Sequence, residues 1–144
     1  MAGNSRFAVS VHILAYLAYR KEGAVSSSEI AASVGTNPVV IRRLLSALVK
    51  ARLVTAQKGA SGGFALASTP AGIPLLAVYR TVEPKPDHGL NRFAPNHRCP
   101  VGARIESVLQ GIFFKAQAGM EAELARVNVA EVERQLHAVC ARKP

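Results

Sequence analysis

Small and apolar side chains recur with helical spacing between residues 6 and 20. Phe7, Ser10/Val11, Leu14 and Leu17/Ala18 share one face, which predicts a helix closed by the Glu22-Gly23 pair. A short helix follows from Glu29 to Val34, with Ile30, Ala31 and Val34 inward. Ser26-Ser27-Ser28 offers capping hydroxyls, and Glu29 is placed to reach back as in a capping box. Gly35, free to take a positive φ, ends it. Asn37 is a good N-cap and Pro38 a good first-turn residue for a third helix. There Ile41, Leu44, Leu45, Leu48 and Val49 follow an i, i+3, i+4, i+7, i+8 stripe, so that face packs inward. Val39, Arg42, Arg43, Ser46 and Lys50 lie on the opposite face.

Past the third helix the period changes. Leu53–Lys58 and Phe64–Ala67 flank the Gly-rich Gly59-Ala60-Ser61-Gly62-Gly63 turn, which predicts a β-hairpin. Thr69 and Pro70 open a helix expected to run to about Val82. Residues 83–99 are rich in proline and polar side chains and read as a loop. A long helix is expected from about Pro100 to Val127. A final one starts behind Asn128, with Val129, Val132, Leu136 and Val139 inward and Cys140 packed beside them. Helix, short turn, helix and hairpin make a winged helix-turn-helix pattern. The fold expected is mainly α with a small β-hairpin wing. It divides into a winged helix-turn-helix domain (1–82), an effector or sensor loop (83–99) and dimerisation helices (100–144). The stripe Ile105, Val108, Leu109, Ile112, Phe113, Ala116 and Met120 is too extensive for so small a domain to cover, so a second copy of the chain is expected against it.

Charge narrows the function class. The chain carries a formal net charge of +9. Residues 1–82 hold nine Lys and Arg against two Glu, so a polyanionic partner would meet the N-terminal half. No apolar run approaches the roughly 18 residues of a membrane span. In the apolar N-terminal stretch, Ser10, His12, Tyr16 and Tyr19 recur as in an amphipathic helix, not a signal peptide. A cytoplasmic location without membrane contact is expected. Cys99 and Cys140 form neither a disulfide framework nor a zinc-ribbon spacing. The Gly59–Gly63 run lacks the Gly-Lys-Ser/Thr ending of a phosphate-binding loop. His97 and Cys99 are close, but only Asp87 supplies an acid nearby, so no enzyme is expected.

Ala51-Arg52-Leu53-Val54, followed by Lys58-Gly59-Ala60-Ser61-Gly62-Gly63-Phe64-Ala65-Leu66-Ala67, resembles the wing signature of the Rrf2-type winged-helix transcriptional regulators. Cys99-Pro100-Val101-Gly102 resembles the segment that precedes the long helix in one subgroup, and the likeness spans nearly the whole chain. It implies a homodimer, joined through the long helix, on a partly palindromic double-stranded DNA operator, with repression the commoner mode. Many members hold an iron–sulfur cluster with three cysteines in that loop. Only Cys99 stands there in this chain, and a cluster needs about four ligands. Even with His88 and His97 in reach, no cluster and no other cofactor are expected.

In such a protein the N-terminal part of the third helix enters the major groove. Thr36, Asn37, Val39, Arg42 and Arg43 then come into reach of bases. Arg42 suits bidentate contact with guanine, and Val39 suits apolar contact with a thymine methyl. Ser27, Ser28, Ser46 and Lys50 suit phosphate contacts, and Lys58 with Ser61 on the wing suits the adjacent backbone or minor groove. Cys99 lies beside Arg98, near His97 and before a helix N-terminus; the arrangement favours thiolate and suits redox sensing, and a small, partly buried residue capping the helix is the alternative. A winged-helix protein–protein adaptor and a non-specific nucleic-acid binder are the alternatives. The cluster of Arg42, Arg43, Lys50 and Lys58 disfavours the first, and a defined operator would exclude the second.

Overall fold

Helix α1 (Ser5–Arg20) is enclosed on most of its circumference, with Ser10, Ile13, Leu14, Ala15, Leu17 and Ala18 all buried. The computed structural model describes residues 5–86 and 94–142. Helix α2 (Ser27–Val34) begins two residues earlier than the capping pattern suggested. Ser26 is its N-cap, and the Ser26 Oγ accepts the Glu29 N–H at 3.2 Å. Glu29 does not complete a capping box. Its carboxylate accepts the Tyr16 hydroxyl at 3.0 Å and pairs with Arg20, which ties α2 to α1. Gly35 ends α2 at φ +74°, its N–H donating to the Ala31 carbonyl at 2.9 Å. Helix α3 (Pro38–Lys50) then starts from Asn37, whose Oδ1 accepts the Val39 N–H at 2.8 Å. Ile41, Leu44, Leu45 and Leu48 are buried along its inner face, as their spacing required.

Strands β1 (Val54–Gln57) and β2 (Gly63–Leu66) pair antiparallel, with Val54 opposite Leu66 and Gln57 opposite Gly63. Val25 extends the hairpin as a third partner. Its N–H donates to the Phe64 carbonyl at 2.9 Å, and its carbonyl accepts the Phe64 N–H at 2.8 Å. Gly63 permits that approach. At φ +152° it has no side chain, and a Cβ there would lie 2.5 Å from the Val25 oxygen.

The single helix expected from Thr69 to Val82 is two pieces, a 3₁₀ turn Pro70–Gly72 and α4 (Leu75–Val82), and Thr69 makes no side-chain cap. Pro74 is the reason: it has no N–H to donate, and it biases Ile73 toward the extended conformation seen there. The freed backbone is reused. The Leu75 N–H donates to Val127 at 2.8 Å, and the Ile73 carbonyl accepts the Val129 N–H at 3.0 Å.

Helix α5 (Ile105–Arg126) starts five residues later than expected, because residues 97–104 form turns. Helix α6 (Val129–Cys140) is capped by Asn128, whose Oδ1 accepts the Glu131 N–H at 2.9 Å. Hydrogen bonds from Arg134 and Gln135 hold the Glu131 carboxyl down at about 2. Only the start of α6 is core: Val129 is buried, whereas Leu136 and Val139, expected inward, are 51% and 71% exposed. Where α6 passes the rings of Tyr16 and Tyr19, α1 and α6 leave a groove of about 230 Å³. Cys140, expected to be packed, is exposed on its wall.

These contacts redraw the expected domain boundaries. Residues 1–84 and 124–144 make one compact unit, so α6 belongs with the winged helix-turn-helix rather than with a separate C-terminal piece. Its core joins Ile13, Leu14, Ile30, Ile41, Leu45, Leu48, Ile73, Val78 and Val129. Residues 85–123 make the second unit. No residue of α5 is buried, and among the described residues no helix is long and apolar enough to cross a membrane.

Candidate nucleic-acid interface

With its Ile41, Leu44, Leu45 and Leu48 stripe locked into the core, α3 must turn its other face outward. Val39, Arg42, Arg43 and Ser46 are exposed there and line a common shallow concavity of about 300 Å³. Its walls are almost wholly apolar, being built from the Val39 methyls and the aliphatic stems of the two arginines. The Arg42 Nε donates back to the Pro38 carbonyl at 3.4 Å, which lays the side chain along the helix toward its N-terminus. The terminal nitrogens stay available as a fork.

The charge on this face is uncompensated. α3 contains no acid, and the one carboxylate of α2, Glu29, is engaged by Tyr16 and Arg20. Among the described residues no carboxylate pairs with Arg42, Arg43, Lys50 or Lys58. Lys50, Ser28 and Asn37 are also exposed, whereas Ser27 and Thr36 are half-buried. Asn37 has its Oδ1 committed to capping, which leaves only its amide nitrogen for a ligand. Lys58 and Ser61 stand apart from this concavity, exposed at the end of the hairpin. Val40 escaped the sequence reading: it is 43% exposed beside Val39 (51%), outside the concavity. Its signal was its absence from the buried stripe.

Cys99 is exposed, but it lies in a turn and not at the first turn of α5. Its N–H donates to the Asn96 carbonyl at 3.1 Å, and the Arg98 N–H donates to Asn96 Oδ1 at 3.0 Å. A Cβ at Gly102 would lie 2.3 Å from the Asn96 oxygen, so only glycine closes the turn this tightly. The Gly102 N–H, and secondarily that of Val101, hydrogen-bond the sulfur and lower the Cys99 thiol below its ordinary value. Of the apolar residues expected to join two copies, Ile105, Val108, Ile112 and Ala116 are exposed, and Leu109, Phe113 and Met120 half-buried. Among the described residues no three His, Cys, Asp or Glu side chains gather as a metal site. Asp87 and His88 lie outside the described residues.

Comparison with known proteins gives this geometry a context. The sequence profile of the Rrf2 family, described as iron-dependent transcriptional regulators, matches residues 4–135. The chain is 41% identical over 133 residues to YwnA of Bacillus subtilis (strain 168), named as an HTH-type transcriptional regulator. That alignment covers 92% of this chain and 98% of YwnA. A crystal structure described as a DNA-binding protein is 40% identical, with a TM-score of 0.69 over 88% of this chain and 97% of its own. The crystal structure of a transcriptional regulator from Lactobacillus plantarum is 29% identical. Its TM-score is 0.79, covering 92% of this chain and 89% of its own. The family's description names iron; in this chain Cys99 is the one cysteine before α5, and among the described residues no three His, Cys, Asp or Glu side chains gather around it. The chain belongs to the Rrf2 family of winged-helix transcriptional regulators, DNA-binding proteins and not enzymes.

Proposed function

We propose that this regulator acts in the cytoplasm as a homodimer on an inverted-repeat operator and represses by occupying promoter DNA. The observation that carries the reading is the face of α3, which offers Arg42 and Arg43 around an apolar concavity, with no carboxylate paired to them among the described residues. Arg42 reads a guanine edge, and Arg43 and the Asn37 amide contact neighbouring bases. Thr36 stands beside Asn37 at the base edges, Ser27, Ser28, Ser46 and Lys50 hold phosphates, and Lys58 and Ser61 bring the wing to the adjacent backbone. The exposed apolar residues of α5, Ile105, Val108, Ile112 and Ala116, pair with a second copy, with Leu109, Phe113 and Met120 beside them. Two recognition helices then lie about 34 Å apart, one turn of DNA.

The regulatory part of the proposal is a thiol switch. A two-electron oxidant such as hydrogen peroxide transfers an oxygen atom to the Cys99 thiolate, giving water and the sulfenate, which takes a proton from solvent to become the sulfenic acid. The exposed sulfur and the two N–H groups that stabilise its anion support this role. Regulation proceeds without an iron–sulfur cluster, so protein purified without oxygen carries no visible charge-transfer absorption.

Selection by the full-length protein from a random duplex library tests the reading. Enrichment of an inverted repeat, bound as two chains per duplex in sedimentation, supports it. Enrichment of no sequence overturns it. Operator affinity that peroxide changes in the wild type but not in Cys99→Ser supports the switch, and an unchanged response in Cys99→Ser removes it.

A further inference from the structure

The cationic face of α3 carries an unusual element, an apolar floor. Guanidinium and ammonium groups alone suffice to hold phosphates and guanine edges. Yet Val39, one turn before the arginines, is half exposed to solvent, and the concavity it shares with Arg42, Arg43 and Ser46 has almost no polar wall. In the major groove of unmodified DNA one apolar group projects from the base edges, the C5 methyl of thymine. An apolar seat lined by two arginine side chains is therefore complementary to a thymine methyl beside a guanine.

We infer that Val39 and the arginine stems seat the methyl of a thymine adjacent to the arginine-read guanine in each half-site. The inference rests on the operator reading above and adds to it a specific base step and a specificity-determining residue. Shape and charge act together. The aliphatic stems of Arg42 and Arg43 cover the methyl only while their guanidiniums point onward to the neighbouring guanine, so the two bases are read as a unit. Val40, exposed on the same helix but outside the concavity, has no part in it.

The test removes the methyl from the DNA, leaving the protein fold untouched. Duplexes selected from a random library by the full-length chain are resynthesised with deoxyuridine in place of each thymidine in turn, and Kd is measured by fluorescence anisotropy. At one thymidine beside a guanine in each half-site, the exchange raises Kd about fourfold, the equivalent of burying one methylene-sized group. Exchanging both half-sites raises it about fifteenfold. The penalty collapses in Val39→Ala and persists in Val40→Ala. If the selected duplexes are bound equally well with every thymidine exchanged, or if Val39→Ala keeps the full penalty, the inference is overturned while the operator reading stands. If selection enriches no sequence at all, the operator reading falls and this inference with it.

Discussion

Replacing Gly63 by alanine tests how the wing is fastened. The substituted residue must hold φ near +152°, which costs a non-glycine residue about 1–3 kcal/mol. The added Cβ meets the Val25 backbone at 2.5 Å from its oxygen and 2.7 Å from its carbonyl carbon, a distance no real contact tolerates. Val25 has to move, and the two hydrogen bonds it shares with Phe64, at 2.9 and 2.8 Å, are stretched or broken. Each contributes about 0.5–1.5 kcal/mol net, so the total penalty is ~2–6 kcal/mol, a large share of the 5–15 kcal/mol typical of a domain. Gly59 is the internal control. It too has a positive φ, +106°, but nothing lies within 4 Å of its missing Cβ, so alanine there costs only about 1–2 kcal/mol of conformational strain. Urea and thermal unfolding followed by circular dichroism read both variants. Gly63→Ala should be clearly the less stable of the two, with its Tm lowered by about 3–5 °C for each kcal/mol. Equal stability of the two variants would refute the argument that a tight backbone contact between Val25 and the hairpin sets the wing's position.

Other consequences are as specific. Lys50→Ala should weaken binding to all duplexes alike and flatten the slope of log K against log salt by about two for a dimer, at ~0.9 for each phosphate no longer neutralised. An unchanged slope would show that Lys50 holds no phosphate. Val108→Glu with Ile112→Glu places charge on side chains that are 58% and 54% exposed. Light scattering should show a dimer for the wild type and a folded monomer for the variant, and a variant that stays dimeric would locate the interface elsewhere. Because backbone N–H groups favour the anion, Cys99 should ionise below the ordinary thiol value of 9.0. In a Cys140→Ser background, its alkylation rate should therefore rise through an inflection below that pH. An inflection at or above it would contradict the turn geometry.

The parts of this architecture that local rules specify were legible from residues alone. The stripe on α3, Asn37 as its cap, Gly35 as the left-handed stop and the glycine-rich hairpin each follow from backbone preferences within a few positions. Arg42, Arg43 and Val39 were legible as the outward face because a buried stripe dictates what lies opposite. Long-range partners were not. Glu29 could cap its own helix or reach Tyr16 and Arg20, and only the approach of α1 decides. Leu136 and Val139 continue the periodicity of Val129, but period cannot say what an apolar face packs against, and here α6 leaves a groove along α1. The break at Pro74 was readable in principle, since proline interrupts a helix wherever its missing N–H is needed. The groups that stabilise the Cys99 thiolate depend on the Asn96–Gly102 turn, whose closure no pattern announced.

Recognition of DNA sequence by the α3 face is the central claim, and one comparison addresses it most directly. Fluorescence anisotropy would give the Kd of wild type and Arg42→Ala for a selected duplex and for its scrambled counterpart, at a fixed salt concentration. The account predicts a wild-type preference for the selected duplex of at least about a thousandfold, and a loss of about 30-fold or more of that preference in Arg42→Ala, which removes the contact from both half-sites. Equal affinity of the wild type for both duplexes, or a preference that Arg42→Ala leaves intact, would contradict it.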